Sequence, residues 1–190
     1  MTHAPKRLAR RDLALGNWLK LMEIEYQGHD GKVRTWEAAG RRHQQGAVMV
    51  IAQLQPSGRY VLVEQYRPPM DAMVVEFPAG LIDPGEEPLA TAGRELREET
   101  GYVGSIRWHS RLCLSSPGMS GEAFYQVVMA VDEELPENRN PRPAWDESEH
   151  ILTHLVAPAE LGAFLREKEA AGAILDSKLV AFCLGAGQRW

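Results

Sequence analysis

Between Gly80 and Tyr102 the chain reads GLIDPGEEPLATAGRELREETGY, and the punctuation of that stretch admits one local fold. Pro88 suits the first turn of a helix, where a missing N–H costs nothing, and Gly101 suits a left-handed cap at its end. Residues 88 to 100 are therefore predicted to form about three and a half helical turns. On such a helix Glu95, Glu98 and Glu99 fall at i, i+3 and i+4, on one face. Three crowded carboxylates repel one another unless a cation neutralises them. A hard divalent ion, Mg²⁺ or Mn²⁺, does so with oxygen ligands while keeping waters for phosphates and a nucleophile. Alone, RELREE also reads as a solvated, salt-bridged helix face, so the flanking residues decide.

Gly80, five residues, Glu86, seven residues, Arg94-Glu95, the aliphatic Leu96, a spacer, Glu98-Glu99, a spacer and Gly101 resemble the Nudix box, signature of the Nudix hydrolase family. The one departure is Tyr102, where the pattern has an aliphatic residue; an aromatic ring can fill the same apolar socket. The resemblance implies hydrolysis of a nucleoside diphosphate linked to another moiety. It also implies an α/β/α sandwich with a mixed sheet that carries the box as loop, helix and loop. The residue types agree with that chemistry. Attack of water on a diphosphate needs neutralised phosphate oxygens, a metal that acidifies or positions the water, and a base to take its proton. Arg94 is expected to take part in catalysis by orienting the box through a glutamate such as Glu86.

With 190 residues and 44% hydrophobic content, the chain can build one compact domain with a small appendage. A net charge of −5 argues against a nucleic-acid surface, which needs a basic stripe. Cys113 and Cys183 sit in apolar runs without metal-ligand spacing and read as buried free thiols of a reducing compartment. No apolar run approaches the roughly 18 residues of a membrane span. The opening MTHAPKRLARRD lacks the apolar core of a secretion signal and reads as a frayed terminus, so the cytoplasm is the expected location.

Alternation in WLKLMEIEY, the GHDG turn and KVRTWEAA predict a β-hairpin ahead of the catalytic domain, dividing the chain into a region 1–42 and a domain 43–190. AVMVIAQL, RYVLVEQYR and VVEF read as strands leading into the box. SIRWHSRLCLSS and AFYQVVMAV follow it as strands around SPGMSGE. The acidic, proline-rich stretch from Asp132 to Glu149 reads as a long exposed connection. HILTHLVA returns as a strand, and APAELGAFLREKEAA and SKLVAFCLGAG as helices.

EQYRPPMDAMVVEFPAGLID before the box and SSPG after it resemble the ADP-ribose pyrophosphatase branch of the family, and Pro117 lies sixteen residues beyond Gly101, where that branch places its diagnostic proline. Position by position, the resemblance makes the Ala79 carbonyl and the carboxylates of Glu95 and Glu99 metal ligands, with Glu98 bridging metals or ordering the water. It puts Glu76 on substrate ribose or ordered water, Arg41 and Arg67 on the diphosphate, and Gly80 and Pro117 against the substrate. In that branch tryptophans at the positions of Trp18 and Trp36 stack on both faces of the adenine. They come from different subunits of a dimer with exchanged N-terminal strands, and Glu37 would accept from the adenine amino group. Glu149, in the loop before the returning strand, is the expected general base, with Glu147 and Glu122 as the alternatives. Ser116 replaces an acidic residue that contacts the terminal ribose in that branch. His43, His109 and His150 show no metal-ligand spacing.

The expected activity is thus Mg²⁺-dependent hydrolysis of ADP-ribose and related ADP-sugars to AMP and sugar 5-phosphate. GDP-mannose or broader nucleoside diphosphate sugar hydrolysis, clearance of oxidised nucleotides, and a non-catalytic ADP-ribose sensor are the alternatives.

Overall fold

The computed structural model describes residues 4–42, 46–145 and 150–188. The box helix forms over the predicted residues. Helix α1 spans Pro88–Thr100 and ends at Gly101 in the left-handed region (φ 76°), whose N–H donates to the Arg97 carbonyl at 2.8 Å.

In chain order the strands are β1 (Lys6–Leu15), β2 (Leu19–Gln27), β3 (Val33–Arg41), β4 (Ala47–Gln55), β5 (Tyr60–Arg67), β6 (Ala72–Glu76), β7 (Ala79–Leu81), β8 (Ser105–His109), β9 (Cys113–Leu114), β10 (Ala123–Asp132), β11 (Ile151–Val156) and β12 (Ile174–Leu175). After α1 come a short helix α2 (Pro136–Arg139), then α3 (Leu161–Ala170) and α4 (Ser177–Gly185). Strands β4 to β12 build a nine-stranded mixed sheet in which β4 runs parallel to β10 and antiparallel to β5 and β7.

The central strand explains the layering. In β4, Val48, Val50, Ala52 and Leu54 face one way and pack with Ala92 and Leu96 of α1, while Met49 faces the other and packs with Leu161, Leu165, Leu179 and Cys183 of α3 and α4. A two-residue period along a strand buried on both faces dictates helices on both sides, which is the α/β/α sandwich. Tyr102, the departure from the box pattern, is buried in the α1 layer beside Val131 and fills the apolar socket.

The N-terminal region is a three-stranded antiparallel sheet, β1-β2-β3, where the sequence suggested a hairpin behind a frayed end. β1 pairs with β2 from Lys6 opposite Gln27 to Leu15 opposite Lys20, and all ten of its residues are exposed. A strand with neither face buried shows no hydrophobic alternation, so the backbone ladder and pairs such as Arg11 with Glu23 (2.8 Å) had no signature to read. The small sheet meets the large one where the Ala39 N–H donates to the Met119 carbonyl at 2.9 Å and the Trp36 indole to that of Gly118 at 2.9 Å.

Two further readings are refined. The stretch after Asp132 is largely exposed, as expected, but has structure of its own. It carries α2, and buried Asn138 accepts from the Val103 N–H and donates to the carbonyls of Val103 and Asp132 at 2.8 to 2.9 Å. Of the two free cysteines, Cys183 is buried but Cys113 is only half-buried.

On the α3 side, buried Glu64 accepts from Lys168 and pairs with His154 at 2.7 Å. Burial pushes the Glu64 carboxyl up, but the bonds to Lys168 and His154 outweigh it and hold it below its ordinary value of 4.5. Its contribution is therefore complete above that value and is lost as pH falls through the lower folded one. Glu64→Gln should destabilise the fold by about 2 to 3 kcal/mol at pH 7, under the range for fully buried pairs because Lys168 and His154 each keep 21% of their side chains exposed. Urea unfolding of both proteins from pH 7 to pH 3 checks this: the difference between them should shrink below pH 4.5. A difference that is flat with pH would show that Glu64 acts through packing alone.

Candidate active site

A cleft of about 610 Å³ opens where β7 hands over to the box loop and α1. Gly80 lies beneath Glu95 so closely that a Cβ there would stand 1.8 Å from the Glu95 carboxyl carbon. A side chain at that point would push the Glu95 carboxylate out of its place, while the backbone conformation itself would accept one.

Arg94 organises the acidic face. Its guanidinium makes a forked pair with Glu86 (Nε 3.0 Å, Nη2 2.9 Å), bonds Glu95 and Glu98 at 2.8 Å each, and donates to the Leu81 carbonyl at 3.1 Å. The Arg94 bonds hold the Glu86 carboxyl down at about 2. Glu99 has a different environment. It is buried, and one oxygen accepts the Ala79 N–H at 3.1 Å. Burial, together with Glu95 and Glu76, pushes its carboxyl up to about 8. The charge of Arg67 offsets this only in part, and a cation bound beside the carboxyl would return it to the ionised form.

The donor chemistry fits a hard divalent cation. The oxygens available are the carboxylates of Glu95, Glu98 and Glu99 and the carbonyl of Ala79, with no sulfur or imidazole beside them. Among the described residues no three acidic, histidine or cysteine side chains already stand as a finished ligand set, since Arg94 engages both Glu95 and Glu98.

Arg41 and Arg67 reach the same cleft from β3 and β5. Arg67 pairs with Glu76 at 2.8 Å, and burial pushes the Glu76 carboxyl up against the pull of Arg67. Arg41 pairs with Glu122 at 3.1 Å, so Glu122 stands at the cleft too. Glu149 and Glu147, like His43, lie outside the described residues.

The predicted base-binding residues stand apart from this cluster. Trp18 and Trp36 are exposed by 77% and 51%, enough for each to offer a ring face to a ligand or a partner. Trp36 pairs across the ladder with Ile24, and Trp18 lies six positions before Ile24, about 20 Å away at the rise of a strand. One chain cannot close both indoles on one base. Glu37, adjacent to Trp36 on β3, points to the opposite face of the sheet. Exposed Pro117 sits in the turn whose Gly118 carbonyl holds the Trp36 indole.

Trp145 was missed by the sequence reading. Its indole N–H donates to the Glu99 carbonyl at 2.9 Å, and the Ala144 N–H donates to that of Glu98 at 2.8 Å. These are end carbonyls of α1, left without intrahelical partners. Gly101 makes room for this contact, since a Cβ there would meet the Arg142 backbone nitrogen at 2.3 Å. A lone tryptophan in a proline-rich stretch carries no spacing signal that could have revealed it.

Comparison with known proteins bears on this geometry. The NUDIX domain family matches residues 43–177. The mouse ADP-sugar pyrophosphatase is 34% identical over 180 residues, covering 89% of this chain and 81% of that protein. An ADP-ribose pyrophosphatase of Bacillus subtilis is 33% identical over 134 residues, 70% of each chain. A crystal structure of an ADP compounds hydrolase superposes with a TM-score of 0.69 over 87% of this chain and 85% of that one, and at 21% identity it speaks for the fold alone. With the family matched over most of its length and the box glutamates gathered around one arginine at the mouth of the sheet, this chain belongs to the Nudix hydrolase family.

Proposed function

We propose that the protein hydrolyses the diphosphate bond of ADP-ribose, and of related ADP-sugars, to AMP and sugar 5-phosphate. The observation that carries this reading is the meeting of box glutamates Glu95, Glu98 and Glu99 with two arginines, Arg41 and Arg67, in one cleft. Similarity to an ADP-sugar pyrophosphatase supports the adenine-containing substrate.

Arg41 and Arg67 would grip the diphosphate, and each already holds a carboxylate that phosphate oxygens can displace or share. The carboxylates of Glu95, Glu98 and Glu99 and the Ala79 carbonyl would hold Mg²⁺, or Mn²⁺ in its place. When bound, that ion neutralises phosphate charge and lowers the pKa of water. Glu98, the most exposed of the Arg94 partners at 45%, is the one best able to order a water at the substrate. Arg94 keeps the box in register, and Glu76 would contact a ribose hydroxyl through its free oxygen. The base that takes the water proton is assigned to Glu149, with Glu147 and Glu122 the next choices.

The separation of Trp18 and Trp36 along one chain supports a homodimer in which exchanged N-terminal strands bring one indole from each subunit to the adenine. Region 1–42 would then supply the exchanged strand and region 43–190 the catalytic unit. No helix among the described residues is long and apolar enough to cross a membrane, and two free thiols suit a reducing compartment such as the cytoplasm.

The deciding experiment measures phosphate-coupled product release with Mg²⁺ over ADP-ribose, ADP-glucose, GDP-mannose, UDP-glucose, NADH and diadenosine polyphosphates. ADP-ribose should rank first in kcat/KM. A lead for GDP-mannose would overturn the adenine assignment, and binding without turnover would overturn the enzyme. Glu98→Gln and Glu99→Gln should each lower kcat by about 10²- to 10⁴-fold with native circular dichroism; normal rates in both would remove the metal cluster from the mechanism. Gly80→Ala should displace the Glu95 carboxylate and cut activity with little change in Tm, and unaltered kinetics would mean that Glu95 is not needed where it stands. Trp36→Ala should raise KM for ADP-ribose through lost stacking worth about 1 to 3 kcal/mol; an unchanged KM would leave Trp36 as an interface residue.

A further inference from the structure

Beyond Arg41 the cleft continues into a second hollow of about 420 Å³ that shares Arg41, Ala47, Leu81 and Glu122 with the first. Its floor is bare of side chains at Gly40, Gly46 and Gly121. A Cβ at Gly40 would come within 2.9 Å of the Met22 methyl group, and one at Gly46 within 3.0 Å of the Ala123 carbonyl oxygen. At Gly46 the neighbour is backbone and at Gly40 the flexible end of Met22, while the walls are cationic. Arg10 comes from β1, Lys20 from β2, and Arg42 follows β3.

Counting Arg41, four cations face this hollow and a single carboxylate, Glu122, which Arg41 already engages at 3.1 Å. Arg42 spends one N–H on the Gly16 carbonyl at 2.8 Å and keeps its charge. Neither Arg10 nor Lys20 bonds or ion-pairs with another described residue through its side chain. In a chain of net charge −5 this local excess is not the average surface. A concave wall of one sign concentrates counter-ions of the other. The acidic remainder of the chain disfavours a long polyanion, so the fitting ligand is a compact anion attached to what the neighbouring cleft holds.

Resting on the reading of that cleft as a nucleoside diphosphate site, we propose that Arg10, Lys20 and Arg42 form a subsite for a phosphate outside the diphosphate that is cleaved. The preferred substrate is then a nucleoside diphosphate derivative bearing an additional phosphate monoester. Such a group carries close to two negative charges and three strong acceptor oxygens, which matches several cationic donors better than a hydroxyl or a single carboxylate does.

The test compares ADP-ribose with two phosphorylated forms, one bearing a 2′-phosphate on the adenosine ribose and one a 1″-phosphate on the distal ribose. Steady-state rates with Mg²⁺ are paired with calorimetric binding in its absence. One phosphorylated form should have a KM and Kd about tenfold below those of ADP-ribose, and its identity tells which end of the substrate enters the hollow. An Arg10→Ala/Lys20→Ala variant should lose that preference while its constants for ADP-ribose stay within about twofold, and about 0.5 M salt should erode the preference in the wild type. Equal constants for all three compounds in the wild type would overturn the subsite, whatever the variant does. Absence of turnover for all three would instead count against the hydrolase reading, and the binding ratio would still decide the subsite.

Discussion

The structure around the box depends on how much negative charge can be gathered at one place. Glu86, Glu95 and Glu98 share the guanidinium of Arg94, which also reaches back to the Leu81 carbonyl and so ties the loop after β7 to the helix. A planar group with five donors can serve three carboxylates and a carbonyl together; an ammonium could not. Glu99 is left out of this arrangement. Its burial, with one backbone N–H bonded to it and Glu95 and Glu76 nearby, outweighs the pull of Arg67 and keeps this carboxyl short of counter-charge. The protein thus compensates three of these carboxylates through Arg94 and the fourth less fully, a balance that a divalent cation would complete.

Much of this was legible in the sequence because it is local. Pro88 and Gly101 mark the ends of α1 by backbone chemistry alone, and the spacing of the glutamates places them on one face whatever the rest of the chain does. The strand β4 was equally plain, since six successive apolar residues, Ala47 to Ala52, require cover on both sides. β1 was not, because its residues are exposed and its partner lies across a turn. Asn138 and Trp145 were hidden for another reason. Each acts on backbone groups, Asn138 at Val103 and Asp132 and Trp145 at Glu99, and hydrogen bonds to main chain leave no pattern in the side chains they reach.

Within the site, the sequence was most informative about residues on α1 and least about how distant elements meet there. Arg41 and Glu122 are a pair only because the small sheet rests on the turn after β9, through contacts of Ala39 and Trp36. The same contact sets the second cationic hollow beside the first. The expected neighbourhood of Trp18, Trp36 and Glu37 dissolves within one chain for a similar reason: strand rise separates the indoles, and strand alternation turns Glu37 away.

The alternating burial of β4 divides the interior into two volumes that share one backbone and almost no side chains. Substitutions at Val48, Val50, Ala52 or Leu54 press on the helix that carries the glutamates, whereas one at Met49 presses on α3 and α4. Effects on opposite sides of the sheet should therefore combine close to additively, while those on one side couple. The layer behind the sheet reaches the box helix chiefly through Ala79, which packs on that layer and donates its N–H to Glu99, so a change of shape there is passed to the glutamates by one backbone contact.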